Sequence, residues 1–171
     1  GYCQVGAGSY SKSFYKFIET KMVRLFGGTT IACGDTEYQI AKKLGESKLI
    51  RNGVNIHEIA KNKNISKNHK LTIGIVGRIT EARNPELFNS IALKYKNYNF
   101  IWIGDGDLRN KITAPNIRIT GWLLNEDDVL KHLNTIDVYI QTSLWEGLPI
   151  AILEAMALKK PVVATNIIGN K

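Results

Sequence analysis

The sequence predicts an α/β protein built on a doubly wound, Rossmann-like parallel sheet. From Leu71 onward, short apolar segments recur at even spacing, and each is apolar on both faces, as in strands that are covered from two sides. Segments of helical character separate these strands and are long enough for the crossovers that parallel strands need. The predicted strands are residues 71–76, 100–104, 117–120, 138–142 and 161–165.

The predicted helices fill the intervals between these strands. They cover residues 85–96, a short segment at 107–112, residues 126–134 and residues 149–160. A doubly wound sheet binds its ligand at the carboxyl ends of its strands. We therefore expect the functional residues in the loops that follow residues 76, 104, 120, 142 and 165.

The first third of the chain is less regular. It predicts an amphipathic helix over residues 13–26, a buried strand at 29–33, a helix over 36–44 and a Lys- and Asn-rich linker at 61–70. We predict two domains, with residues 1–66 as the end of a first domain plus linker and residues 67–171 as a second domain. Both ends stop in mid-pattern, so we expect the chain to be part of a longer protein.

Composition and charge narrow the function classes. The net charge of +8 is concentrated in the first third, because residues 1–70 hold 12 Lys and Arg against 5 Asp and Glu, whereas residues 71–171 hold 11 against 10. No basic cluster is interleaved with aromatic residues, so we predict no nucleic-acid partner. No apolar run is long enough for a membrane helix, which predicts a cytoplasmic protein, and the basic flank would suit peripheral contact with the inner membrane face. Cys3 and Cys33 are predicted to be free thiols.

The segment from Glu146 to Glu154 has the strongest functional pattern. Pro149 suits the first position of a helix, and Gly147 permits a tight turn and close approach of a ligand to the backbone. The free amides of the helix start, together with the positive end of the helix dipole, form a cradle for phosphate. Glu146 would lie at the edge of that cradle, and Glu154 about 7 Å further along the helix axis.

A second pattern follows the first predicted strand of the sheet. Gly77 and Arg78 come at the end of that strand, and Arg83 and Asn84 open the next helix. Two cations at the carboxyl end of a strand can neutralise a diphosphate and stabilise the negative charge on a departing nucleoside diphosphate. With such a pair of arginines, no metal ion is required.

Together these motifs resemble the donor site of family 4 glycosyltransferases of the GT-B fold. The resemblance rests on EGLPIAILE at 146–154, on AMALKKPVVAT at 155–165, and on VGRITEARN at 76–84, which is similar to the family's G-R-x4-K/R-N/G pattern. The family more often has Lys where Arg83 stands, which keeps the charge and changes the geometry. KLIRNGVN at 48–55 is similar to the segment where the family passes from its N-terminal into its C-terminal domain. The chain therefore resembles the C-terminal half of a GT-B enzyme.

The resemblance implies a role for each residue of the site. Glu146 would contact the transferred sugar, Glu154 would bond the ribose hydroxyls, and the backbone at Gly147 and Leu148 would meet the sugar or the distal phosphate. The implied catalytic residues are Glu146, Arg78 and Arg83, and the implied substrate-binding residues are Gly77, Arg78, Arg83, Glu146, Gly147, Leu148 and Glu154.

The implied reaction is retaining transfer of a hexose-type sugar from a UDP- or GDP-sugar, with no metal or other cofactor. The acceptor would be a glycan or a lipid-linked sugar held by an N-terminal domain, in the synthesis of a bacterial cell-surface polysaccharide such as capsule or lipopolysaccharide. We expect the chain alone to transfer little or nothing.

Three other features have weaker patterns. The loop IGDGDLR at 103–109 favours a turn-shaping role, and it lacks the third glycine of a dinucleotide fingerprint. The loop at 120–127 lies where the family holds the nucleotide base, and Trp122 there is more often a core or surface residue than a stacking platform. His57, His69 and His132 have no partner at catalytic or metal-binding spacing.

Two alternative functions remain open. A non-catalytic nucleotide-binding module would keep the fold, but such a module needs no sugar-facing carboxylate, and both Glu146 and Glu154 are present. A nucleotide-sugar epimerase of GT-B architecture would need further acid and base groups around the sugar, and the sequence provides no His or carboxylate that clearly fills that role.

Overall fold

The computed structural model describes residues 17–18, 20–23, 25–60, 70–167 and 169–170. The chain divides into two compact units, Gly1–Arg51 and Asn52–Lys171. The predicted domain boundary at residue 66 and the linker before it fall in 61–69, outside the described residues, so that boundary stays a prediction. The first residues of the helix predicted over 13–26, together with Cys3 and His69, also lie outside the described residues.

The first unit contains a small parallel sheet. Its described residues between 17 and 26 are helical, and they are followed by β1 (Thr30–Ala32), α1 (Asp35–Ala41) and β2 (Ser47–Leu49). β1 pairs with β2 in parallel, with Ile31 opposite Lys48. The strand and the helix predicted here are both present, but the strand is not fully buried as predicted, because Ile31 is 60% exposed. β2 was not predicted, because three residues with a central lysine have no recognisable strand periodicity.

The second unit contains the predicted doubly wound sheet. Its elements are α2 (Ile56–Ala60), β3 (Thr72–Val76), a 3-10 turn (Glu81–Arg83), α3 (Pro85–Lys94), β4 (Asn99–Ile103), a 3-10 turn (Arg109–Lys111), β5 (Ile117–Ile119), α4 (Glu126–Thr135), β6 (Val138–Gln141), α5 (Ile150–Ala157) and β7 (Val162–Ala164). The strands lie in the order β5-β4-β3-β6-β7, and all pairs are parallel. The α/β fold class is thus confirmed.

The order of the strands places the ligand crevice. The chain winds outward from β3 through β4 to β5, then returns to the other side of β3 to form β6 and β7. In open parallel sheets the ligand binds at the carboxyl ends of the two strands where this direction reverses. The crevice therefore lies between the loops that follow β3 and β6.

Two apolar layers cover the two faces of this sheet. On one face, Phe88 and Ala92 of α3 pack with Phe100 and Trp102 of β4, and the Phe88 ring meets the Trp102 ring edge-on at 5.0 Å. On the opposite face, Ile101 and Ile103 of β4 pack with side chains of α2, α4 and α5. Alternate residues of one strand thus enter different layers, as parallel strands buried on both sides require.

Several boundaries differ from the sequence predictions. Pro149 caps α5, and Ile150 is its first helical residue, one position later than predicted. α2 was not predicted, although the Asn55 side chain accepts a hydrogen bond from the His57 amide at its start. Among the described residues, no helix is both long enough and apolar enough to span a bilayer.

Candidate functional site

The turns after β3 and β4 fit together backbone to backbone. The Gly77 amide donates to Ile103 O at 2.9 Å, and the Ile79 amide donates to Asp105 O at 2.8 Å. Gly104 has φ +135°, and a Cβ there would lie 2.3 Å from Gly77 O. A Cβ on Gly106 would lie 2.5 Å from Ile79 O. The glycines of the 103–109 loop therefore shape the turn, as their sequence pattern indicates.

The loop after β6 is tied to the 3-10 turn that follows β3. The Thr142 hydroxyl donates to Arg83 O at 2.7 Å, and the Leu144 amide donates to Ala82 O at 2.8 Å. The Arg83 guanidinium forms an ion pair with Glu146 Oε1. These side chains are largely buried, with 22% of Arg83 and 12% of Glu146 exposed. Two residues predicted for the site thus lie in direct contact.

Two buried side chains of β6 and its following loop also reach Glu146. Gln141 Nε2 and Ser143 Oγ each donate to Glu146 Oε1 at 2.7 Å. Together with Arg83, they place three donors on one carboxylate oxygen. Hydrogen bonds to an ionised group are the stronger kind, and here they hold the carboxylate in one orientation.

The segment between Glu146 and α5 contains a row of unused amides. Among the described hydrogen bonds, none has the amide of Gly147, Leu148, Ile150 or Ala151 as donor, and Pro149 has no amide hydrogen. Leu148 O accepts from Asn52 Nδ2 at 2.9 Å, which fixes the backbone from one side. Free amides at a helix start, with the positive end of its dipole, are suited to bind phosphate.

Gly169 packs against the backbone of this segment. It has φ +98°, and a Cβ at this position would lie 2.0 Å from Gly147 O and 2.6 Å from Glu146 O. The two backbones are therefore in close contact, with no room for a side chain between them. Neither Gly169 nor Asn52 is among the residues predicted for the site.

Glu154 lies on the second turn of α5 and faces a cavity of about 560 Å³. It is 8% exposed, and among the described residues its carboxylate has no hydrogen-bond or ion-pair partner. Burial, and then the negative charge of Glu126, raise the pKa of Glu154. The other lining residues come from the segment before α2 and from α2, α4 and α5: Gly53, Val54, Asn55, Glu58, Ile59, Glu126, Asp127, Leu130, Lys131 and Ile150. The carboxylate oxygens open onto this cavity, where a ligand with hydroxyl groups could donate hydrogen bonds to them.

Arg78 does not share the Arg83 ion pair. It is exposed, and its guanidinium carbon lies 5.6 Å from the centre of the Trp122 ring, a cation–π distance. Trp122 is itself 61% exposed, in the loop that follows β5. The two arginines predicted to hold a diphosphate thus differ, since Arg83 is held by Glu146 and Arg78 lies on a surface aromatic ring.

The described residues form no metal site, and none of their histidines adds to the candidate site. Within the described ranges, no group of three or more His, Cys, Asp or Glu side chains is arranged to hold a metal ion. His57 is exposed, and His132 on α4 is partly buried, with its pKa lowered by burial and then by Arg118. Metal independence therefore stays a prediction that rests on the arginines.

Comparison with known proteins identifies the family. Residues 70–171 match the family model for glycosyl transferases group 1. The chain belongs to this family. Its second unit is the C-terminal, Rossmann-like domain of a GT-B glycosyltransferase of the family 4 type. The match includes all five strands of the larger sheet and both loops that meet at Glu146.

Two curated relatives act in glycan synthesis. Over 120 residues, the chain is 34% identical to the UDP-Gal:α-D-GlcNAc-diphosphoundecaprenol α-1,3-galactosyltransferase of Escherichia coli, a match covering 61% of this chain and 30% of that enzyme. Over 103 residues, it is 33% identical to the Vi polysaccharide biosynthesis protein VipC/TviE of Salmonella typhi, covering 55% and 18%. The matches thus span less than a third of the length of either relative.

Solved structures agree on the fold. The crystal structure of HepE from Anabaena in complex with UDP and glucose superimposes with a TM-score of 0.74 at 19% sequence identity. The match covers 95% of this chain and 50% of HepE. At this identity, the likeness shows a shared fold.

Proposed function

We propose that this chain provides the nucleotide-sugar site of a glycosyltransferase that transfers a hexose-type sugar from a UDP- or GDP-sugar with retention. The observation that carries the proposal is the burial of both carboxylates that flank the start of α5. Glu146 is paired with Arg83, and Glu154 faces a cavity without a partner. Carboxylates that merely solvate a helix surface would be exposed, because removing a charge from water costs free energy.

Each part of a nucleotide sugar has a matching group in the site. The free amides from Gly147 to Ala151 and the guanidinium of Arg83 would receive the diphosphate, with Arg78 moving from the Trp122 ring to join them. Glu154 would accept hydrogen bonds from the ribose hydroxyls. Glu146 would face the hexose. The E. coli relative is named for UDP-galactose, and HepE was crystallised with UDP-glucose, which makes UDP the first nucleotide to test.

The proposed chemistry uses charge and position. The bond from the sugar's anomeric carbon to the diphosphate breaks, and a bond to the acceptor hydroxyl forms on the same face. The hydroxyl proton passes to the departing phosphate oxygen, so no protein nucleophile is needed. Arg78 and Arg83 stabilise the negative charge on the leaving group without a metal ion, and Glu146 stabilises positive charge on the sugar ring.

The proposed reaction also needs an acceptor. We propose a glycan or a lipid-linked sugar, held by an N-terminal domain of a longer protein, in bacterial cell-surface polysaccharide synthesis. The polysaccharide function of the Salmonella relative supports this assignment. The same polysaccharide function supports a proposed cytoplasmic location with peripheral contact at the inner membrane face.

Nucleotide binding tests the donor site directly. The chain is titrated with UDP, GDP and ADP by calorimetry, and we expect one uridine or guanosine nucleotide to bind. Arg78→Ala and Glu154→Ala should each weaken that binding about tenfold, because each removes a hydrogen bond that involves a charged group. Lys111→Ala is the control, since Lys111 pairs with Glu86 at the protein surface. If no nucleotide binds, or if neither variant changes the affinity, the proposal is wrong.

Transfer tests the role of Glu146. Glu146→Ala is introduced into the longest natural form of the protein that contains this chain, and sugar transfer is followed with the nucleotide that binds. We expect a loss of at least about 100-fold, as for removal of a group that stabilises transition-state charge. Undiminished transfer would exclude Glu146 from the mechanism. Nucleotide binding by a wild-type protein that transfers no sugar would instead favour a binding-only module.

A further inference from the structure

Three buried polar side chains, two in β6 and one in the loop after it, form a row of hydrogen bonds that leads to Glu146. Tyr139, Gln141 and Ser143 occupy alternate positions and therefore point to the same face of the sheet. All three are 0% exposed. The Tyr139 hydroxyl donates to Gln141 Oε1 at 2.6 Å, and Gln141 Nε2 donates to Ser143 Oγ at 3.0 Å and to Glu146 Oε1 at 2.7 Å.

The order of donors along this row fixes the orientation of the Gln141 amide. Burial raises the pKa of Tyr139 far above its ordinary value, so its hydroxyl keeps its proton and remains a donor. The Tyr139 hydroxyl donates to the oxygen of the Gln141 amide, and the amide nitrogen faces Glu146. The opposite orientation would place an amide oxygen against a carboxylate oxygen, where neither can donate.

The donors around Glu146 all converge on one of its oxygens. Gln141, Ser143 and Arg83 reach Oε1, and among the described residues none reaches Oε2. One oxygen is thus anchored by the protein, and the other is left with its hydrogen-bonding capacity unused. The anchored oxygen also fixes the plane of the carboxylate, because three donors approach it from different elements.

We propose that Tyr139 and Gln141 are positioning residues that hold Glu146 with Oε2 presented to a hydroxyl of the donor hexose. The inference rests on the proposed function of Glu146 and adds to it two residues that touch no substrate. Since Oε2 can only accept, its partner on the sugar is a hydroxyl. The hydrogen bonds that run from Tyr139 through Gln141 to Glu146 therefore affect the sugar-dependent part of donor affinity and leave the part due to the nucleotide unchanged.

The test separates these two parts of the affinity. Dissociation constants are measured for UDP against UDP-glucose and UDP-galactose, and for GDP against GDP-mannose, and the sugar contribution is the ratio of the nucleotide value to the nucleotide-sugar value. The variants are Gln141→Leu, which keeps the volume and removes the donors, and Tyr139→Phe, which removes one hydroxyl. Glu146→Ala is the reference for complete loss. Asn116→Ala is the control, because Asn116 donates to Ala92 O at 3.0 Å, near the amino ends of the strands.

We expect Gln141→Leu to lower the sugar contribution about fivefold, as for the loss of one hydrogen bond to a charged group, and Tyr139→Phe to lower it about twofold to threefold. Affinity for the parent nucleotide should change less than about twofold, and Asn116→Ala should leave the ratio unaltered. Tyr139→Phe is nearly isosteric, so it keeps the test valid if Gln141→Leu does not fold.

Two results would overturn the inference while leaving the nucleotide site standing. One is an unchanged ratio in Tyr139→Phe and every folded Gln141 variant, when Glu146→Ala abolishes the sugar contribution. The other is a wild-type ratio of one for every sugar tested, because Oε2 would then receive no sugar. Absence of all nucleotide binding is a different outcome, and it removes the proposed function itself.

Discussion

The two acidic residues that flank the start of α5 are both buried, yet their surroundings are opposite. Glu146 receives hydrogen bonds from Gln141 and Ser143 and pairs with Arg83, whereas Glu154 faces a cavity without a described partner. The protein itself stabilises the first charge, and no described donor stabilises the second. Burial alone therefore does not define a site, and the distribution of donors shows that Glu146 is held in one orientation while Glu154 is not; ribose hydroxyls are the proposed partners of Glu154.

The same substitution at both positions gives the largest expected contrast. Glu146→Gln should lower the free energy of unfolding by about 2–3 kcal/mol, because it leaves the largely buried Arg83 without its counter-charge. Glu154→Gln should leave stability unchanged or raise it, because it removes a buried charge that no described donor stabilises. Urea unfolding of the chain measures both. Equal losses in the two variants would contradict the comparison.

A methyl group at Gly169 tests the segment that carries Glu146 and Gly147. Gly169→Ala places a Cβ 2.0 Å from Gly147 O at a φ of +98°, so the segment that bears Glu146 must shift. We expect a stability loss of about 1–2 kcal/mol and weaker binding of both the nucleotide and the sugar, because the shifted segment carries the Gly147 amide as well as Glu146. Calorimetry and urea unfolding check both parts. Gly34→Ala is the matched control, because a Cβ at Gly34 meets nothing within 4 Å. Unchanged affinity for both the nucleotide and the nucleotide sugar would show that the backbone contact at Gly169 does not support the site.

The pH dependence of nucleotide binding tests the Glu154 side. Burial, followed by the charge of Glu126, raises the pKa of Glu154, and ribose hydroxyls would donate to its ionised form. Affinity should therefore fall, by up to about tenfold, as the pH falls through this raised pKa, and Glu154→Gln should remove that dependence. Because the folded state binds this proton more tightly than the unfolded chain does, the ionised group costs stability at higher pH, and the cost disappears as the pH falls. Calorimetric titrations across the acidic range measure the change, and an identical pH profile in Glu154→Gln would contradict it.

The sequence predicted the sheet and named the residues now proposed for the site, but not how those residues come together. Glu146 and Arg83 were each recognised from local motifs, yet they are 63 positions apart, and their contact depends on β3 and β6 being neighbours. Local periodicity does not encode strand order. The matched family and the superimposed folds confirm the resemblance, whereas the individual roles of the site residues stay proposals.

The positioning residues were missed for a different reason. Tyr139 and Gln141 lie in an apolar segment that predicted only a buried strand, and the glutamine at a core-facing position was the available signal. α2 had a signal too, since Asn55 followed three residues later by Glu58 resembles a helix-capping pair. Gly169 had none, because its close contact with Gly147 is a property of the folded backbone.

The interlocked turns after β3 and β4 limit how this site can change. Gly104 and Gly106 leave no space for a side chain against Gly77 and Ile79, so a substitution in one turn requires a compensating change in the other. Single substitutions in these turns therefore disrupt the backbone contacts between the two turns before they can alter which ligand the site prefers. In the proposed donor site, change is instead open at the exposed loop around Trp122 and at the cavity wall near Glu58, where side chains can be exchanged one at a time.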